Sequence, residues 1–184
     1  MIRQAETGDI SRIAEILVFT KRVNYRRIFH NDRYSFGELQ VMTVAGELQQ
    51  NPGELGEIWV YEEDFVKGMI RVRGQEVVQL YVDSFFAGQG IGGTLLDFAV
   101  ERFSVKNLWV LESNPRAIAF YERHGFHKSG IWKYEEGTTQ RLLWMQRKKR
   151  NVIANQCTHW LSMTFLFIAQ PGRHRSSAPP SSRR

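Results

Sequence analysis

The chain has 184 residues, 42% hydrophobic and 12% aromatic, which suits one domain with a real core, since a domain of ~150 residues buries about 70% of its unfolded surface. The formal net charge of +6 is unevenly spread: up to Arg147 there are 18 Lys and Arg against 19 Asp and Glu, a net of −1, and the seven later ones (Lys148, Lys149, Arg150, Arg173, Arg175, Arg183, Arg184) meet no acid. The basic pI therefore says nothing of the folded part's partners and gives no support to nucleic-acid binding by it, and Cys157, the single cysteine, excludes an intrachain disulfide and a multi-cysteine metal centre.

Met1 to Gln4 read as a first strand, and Thr7 or Asp9 caps a helix in which Ile13, Ile16, Leu17 and Thr20 recur at helical spacing. The opening segment MIRQAETGDISRI has no apolar run and carries Glu6 and Asp9, so it is no signal peptide, and a reducing, cytoplasmic location is expected. Lys21 to Tyr34 mixes cations with Tyr25, Phe29 and His30. It reads as a solvated amphipathic turn rather than a nucleic-acid patch, because neighbouring acids cancel its field. A second helix is expected near Phe36 to Gln50, stopped by Asn51-Pro52-Gly53. Strands Glu57 to Tyr61 and Phe65 to Arg73 follow, and Gly74 turns the chain into Glu76 to Val82.

Leu80 to Phe103 then runs from an apolar strand through a glycine-rich turn into a helix. Gly88, Gly90, Gly92 and Gly93 lack Cβ atoms, so several backbone N–H groups can converge where the helix presents its unsatisfied N-terminal donors, a geometry that binds phosphate. A Walker loop would need Lys and Ser or Thr after the last glycine, and a dinucleotide fingerprint would need an opening parallel βαβ unit; neither is present. The turn resembles the acetyl-CoA loop of the GCN5-related N-acetyltransferases (GNAT), Gln/Arg-x-x-Gly-x-Gly/Ala. Gly90 and Gly92 stand at its glycine positions, and Ala87 stands where the family prefers Gln or Arg. The resemblance implies that Ala87, Gly88, Gln89, Gly90, Ile91, Gly92 and Gly93 hold the cofactor.

From Leu108 a short apolar strand leads to Asn114 as N-cap, Pro115 in the first helical position and Gly125 as a left-handed stop, which predicts a helix from Pro115 to about His124. Asn114 and Tyr121, seven residues apart, share one helical face. The segment resembles the second cofactor motif of the same family, in which the Asn meets the pantetheine arm or a bound water and the Tyr hydroxyl lies near the CoA sulfur. A closing hairpin, Phe126 to Tyr134 and Gln140 to Arg147, is expected around Gly137. The resemblance covers Met1 to Arg147 and implies an α/β (α+β) fold, a mixed, mainly antiparallel sheet flanked by helices in the order βααβββαβαββ.

The implied reaction is direct attack of a primary amine, on a small molecule or a protein, on acetyl-CoA, with no metal. Tyr121 is the candidate donor to the departing thiolate, with core packing as the plainer reading. The main chain around Tyr81 and Val82 is the implied oxyanion donor. Glu76, fourteen residues before Gly90, resembles the catalytic Glu of the histone acetyltransferase branch, against the alternative of an exposed strand-edge carboxylate. Glu112 and Asp83 are further base candidates. Trp109 stands where the ribosomal-protein N-terminal acetyltransferase branch has a Glu, which separates this chain from it. Tyr25, Phe29, Tyr34 and Phe36 are expected on the acceptor side, and His124 and His127 read as surface or capping residues. A non-catalytic acyl-CoA sensor is the alternative, and a homodimer is left open. From Lys148 the chain reads as a non-domain extension with an apolar patch of about ten residues, Trp160 to Ala169, too short for a bilayer, which needs ~20; interfacial membrane contact is the lesser reading.

Overall fold

The structure is a computed structural model that describes residues 1–29 and 34–147, the side chains of 25–29, 34 and 35 excepted. All described residues belong to one unit, Met1–Lys148.

Strand β1 (Ile2–Gln4) leads through a 3₁₀ turn (Thr7–Asp9) into helix α1 (Ile10–Phe29). Asp9 turns backwards: its carboxylate accepts from the Glu6 N–H at 2.8 Å and from Arg3 at 2.7 and 2.9 Å, fastening the turn to β1 rather than capping α1. Ile10, Ile13, Ala14, Ile16, Leu17 and Val18 are buried, as their spacing requires. The cation and aromatic run expected as a turn is instead the last part of α1, which continues to Phe29 because nothing between Lys21 and Phe29 breaks a helix. The single second helix expected from Phe36 also differs. A π-helical turn (Tyr34–Glu38) precedes α2 (Val41–Gln50), and Pro52 opens a short α3 (Pro52–Gly56) instead of marking a stop. Proline at a first helical position forfeits an N–H that would have no partner there.

The remaining elements are β2 (Ile58–Glu62), β3 (Val66–Arg73), β4 (Glu76–Val82), α4 (Ile91–Phe103), β5 (Asn107–Leu111), α5 (Pro115–Arg123), β6 (Phe126–Tyr134) and β7 (Arg141–Arg147). They form one seven-stranded sheet in the order β1-β2-β3-β4-β5-β7-β6, in which only β4 and β5 run parallel. The fold is thus the mixed, mainly antiparallel α+β sheet flanked by helices. Its two faces carry separate cores: Ile70 and Val72 of β3 pack with Leu95, Leu96 and Ile118 of α4 and α5, while Met69 packs with Ile13, Ile16, Leu48 and Leu55 of α1, α2 and α3.

One feature of register makes the site. β4 and β5 pair only at Glu76–Asn107 and Val77–Leu108, although β4 runs on to Val82 and β5 to Leu111. Against β3 the register steps from Arg71–Gln79 to Val72–Val77, so Val78 is an extra, bulged residue at the point where the pairing with β5 ends. A bulge bends its strand, and β5 stays paired with β7 along its whole length. The two parallel strands therefore part towards their C-terminal ends.

Candidate active site

The parted strands enclose a cavity of about 490 Å³, within the range of ligand sites. It is lined by β4 from Glu76 to Val82, by Trp109, Val110 and Leu111 of β5, by Asn114 and Tyr121, and by Thr20, Lys21 and Asn24 of α1. Five residues singled out in the sequence, Glu76, Tyr81, Val82, Asn114 and Tyr121, therefore meet in one space. The glycine turn does not line it but begins just past the end of β4.

Hydrogen-bond alternation tells which backbone groups of β4 face that space. Asp83 N–H donates to the Lys67 carbonyl at 2.9 Å, and the register continues as Gly68–Val82 and Met69–Tyr81. In an antiparallel ladder alternate residues bond the neighbour, so Tyr81 and Asp83 turn their N–H groups to β3, whereas Leu80 and Val82 turn theirs to the side that β5 has left. Within the stretch around Tyr81 and Val82 singled out in the sequence, the N–H groups that face the parted side are those of Leu80 and Val82. On the α1 side, the Thr20 hydroxyl lies 3.4 Å from the Val82 carbonyl and donates to it.

Gly88 and Gly90 have φ of 85° and 83°, and a Cβ at either would meet nothing within 4 Å. Gly90 is the N-cap of α4 and offers no side-chain acceptor, so the first N–H groups of this 13-residue helix have no bond from an N-cap side chain. That arrangement fits a diphosphate. Gly92 and Gly93 face their surroundings more closely. A Cβ on Gly92 would lie 3.6 Å from Val82 and 3.7 Å from Phe120, and one on Gly93 would lie 3.2 Å from the His124 ring. The missing Cβ of Gly93 lets the His124 ring sit against the first turn of α4, whereas a Cβ on Gly92 would make only ordinary contacts; His124 Nδ1 also lies 3.2 Å from an Asp97 carboxylate oxygen.

Asn114 caps α5 as its sequence position requires, its Oδ1 accepting the Ala117 N–H at 3.1 Å, which leaves its amide NH₂ for the cavity it lines. Tyr121 packs edge-on against Phe120 and Phe126, with ring centroids 5.1 and 6.0 Å away. Burial pushes its phenol above the ordinary range, so it keeps its proton at neutral pH.

Among the base candidates, Asp83 is engaged: it pairs with Arg12 and accepts the Phe85 N–H at 3.0 Å. Glu112 is exposed, 3.9 Å from Arg141. Glu76 opens β4 opposite Arg73 and Asn107 and lines the cavity at the end where the strands still pair. Phe36 lies under the Arg22 guanidinium at 5.5 Å and does not line this cavity. The side chains of Tyr25, Phe29 and Tyr34 lie outside the described residues, as does the tail from Lys148.

Sequence reasoning did not assign roles to Lys21, Trp109, Lys133 and Glu135, which also line the cavity. The Lys133 Nζ lies 4.5 Å from the centre of the Trp109 ring. Burial pushes the Lys21 amine below its ordinary value, opposed by the charges of Glu135 and Glu47. Among the described residues, no group of three or more His, Cys, Asp or Glu is placed to hold a metal, and no helix is long and apolar enough to cross a membrane.

The acetyltransferase (GNAT) domain model matches residues 54–128. An uncharacterized N-acetyltransferase of Methanocaldococcus jannaschii is 36% identical over 63 residues, 32% of this chain and 28% of that protein. The peptidyl-lysine N-acetyltransferase YjaB of Salmonella typhimurium is 31% identical over 75 residues, 40% of this chain and 52% of that protein. The chain therefore spans about half or less of the length of these relatives. Among solved structures, apo YjaB of Escherichia coli superposes with a TM-score of 0.62 at 24% identity, over 79% of this chain and 95% of that one. PaiA N-acetyltransferase of Thermoplasma acidophilum, solved with coenzyme A, superposes with a TM-score of 0.59 at 18% identity, over 81% and 98%. At these identities the structural likeness is one of fold.

Proposed function

We propose that this protein, whose residues 54–128 belong to the acetyltransferase (GNAT) family, is an acetyl-CoA-dependent N-acetyltransferase acting on a primary amine. The observation that carries this reading is the parting of β4 from β5 beside an uncapped glycine turn, with Asn114 and Tyr121 in the space between. Acetyl-CoA, when bound, supplies an activated acetyl thioester. The chain's own groups would do the rest. The first N–H groups of α4 hold the diphosphate. The Asn114 amide and the free N–H groups of Leu80 and Val82 bond the extended arm, and one of those N–H groups is placed to meet a developing oxyanion. Tyr121 offers its phenolic proton to sulfur.

The acceptor must arrive neutral at its nitrogen, although a lysine-like amine ordinarily titrates near ~10.4. Glu76 and Glu135 line the cavity; their carboxylates attract an ammonium, and Glu76 is the residue proposed to take its proton. The Salmonella relative is a peptidyl-lysine acetyltransferase, so a lysine side chain of a protein stands beside small primary amines as the proposed acceptor.

The test is free-thiol release from acetyl-CoA across a panel of small primary amines and lysine-containing peptides. Amine-dependent release, absent in Tyr121→Phe at matched protein concentration or slowed strongly, is expected. Tight CoA binding with no release for any amine would instead identify a sensor of acyl-CoA.

A further inference from the structure

We propose that Lys21 is itself an acetyl acceptor, taking the acetyl group from the cofactor when no external amine occupies its end of the cleft. The inference rests on the proposed acetyl-CoA site. Lys21 lines the same cavity as Tyr121, Val82 and Asn114. Thr20, its neighbour, donates to the Val82 carbonyl at 3.4 Å, which seats this part of α1 across the end of β4 where the strands have parted. Its ammonium is disfavoured by burial, with Glu135 and Glu47 acting in the opposite sense. An amine can attack an acyl carbon only in its neutral form, so the same burial favours the reactive state.

Lysines elsewhere in the described residues lack this combination. Lys133 reaches the cavity but is held over the Trp109 ring, a contact an ammonium makes and an amide would lose. Lys67 is paired with Glu63, and Lys106 bonds the Gln75 side chain at 2.9 Å on the surface. Neither lines the cleft.

The step is balanced. The Lys21 nitrogen attacks the thioester carbonyl carbon, a C–N bond forms, the C–S bond breaks, and the proton lost by nitrogen ends on the CoA sulfur. The products are an acetamide and free CoA, with no redox partner. The acetamide is larger and neutral, and it occupies space at the acceptor end, so modified molecules should turn over external amines more slowly.

The experiment incubates the full chain with acetyl-CoA and no amine, follows each lysine by peptide mass spectrometry, and measures CoA binding by calorimetry in parallel. Lys21 is expected to gain one acetyl group at least about tenfold faster than Lys106 or Lys128, a small part of what holding an amine beside an acyl group can give. Gly90→Glu should remove the difference, and Lys21→Arg should remove that mark alone. CoA binding without preferential modification of Lys21 would overturn the inference and leave the proposed function standing. Absence of CoA binding would overturn both.

Discussion

Burial holds the proton on Tyr121 more firmly than on a free phenol, whereas a thiol ordinarily ionises near ~8.5, so complete transfer to a departing thiolate is uphill. The phenol then acts chiefly as a hydrogen-bond donor to sulfur. Tyr121→Phe should lower kcat by about 10²-fold, the size of losing one donor aimed at developing charge, with CoA affinity little changed. Steady-state kinetics with calorimetry would check the pair of values; equal turnover would assign Tyr121 to packing alone. At Gly93 the issue is steric. An alanine there would bring its Cβ to 3.2 Å from the His124 ring, and overpacking of this kind costs about 1–3 kcal/mol. The double variant Gly93→Ala/His124→Ala should be less destabilised in thermal melts than the two single changes summed; strict additivity would mean that the ring moves aside freely. Gly90, Asn114 and Tyr121 were legible in the sequence because each belongs to a local pattern of turn, cap or helical face. Lys21 and Glu135 were not. They reach the cavity from elements distant in sequence, and only the packing of α1 across β4 brings Lys21 to it.

The short strand β1 depends on a charged clasp. Arg3 reaches Asp9 at 2.7 Å and Glu62 at 2.7 Å, joining β1 to the following turn and to β2. The bond from Arg3 is the largest cause holding the Asp9 carboxyl below its ordinary value. Because the folded value lies below the unfolded one, this contribution is present above the ordinary carboxylate range and lost as pH falls through the folded value. Melting temperature should therefore fall on acidification below about pH 4, and Arg3→Gln should lower it at pH 7 while flattening that acid limb. An unchanged acid limb in the variant would show that other carboxylates govern it. Element boundaries were read well where glycine or proline punctuates the chain, as at Gly74, Pro115 and Gly125. They were misread between Lys21 and Gly56, where helical residues continue through an expected turn and Pro52 starts a helix. The parting of β4 from β5 was invisible in advance, since it depends on register and on the bulge at Val78.

Charge divides the whole chain at Arg147: a net of −1 before it and seven uncompensated cations after it. Every strand of the described sheet and all five of its α-helices precede that point. A chain ending at Arg147 is therefore expected to melt at the temperature of the full chain and to retain CoA binding; a loss of several degrees would mean that the later residues contribute to the domain's stability. The whole fold serves to seat the cofactor, and a calorimetric titration reads that seat without relying on turnover. Wild-type protein should bind CoA and acetyl-CoA with similar affinity, because the diphosphate and the arm carry the contacts. Gly90→Glu should abolish binding while the fold persists, since a Cβ at Gly90 meets nothing within 4 Å, and Gly90→Ala, which carries the same strain at φ 83° without the charge, should retain more of it. Undiminished CoA binding by folded Gly90→Glu protein would mean that the diphosphate does not sit at the α4 N-terminus.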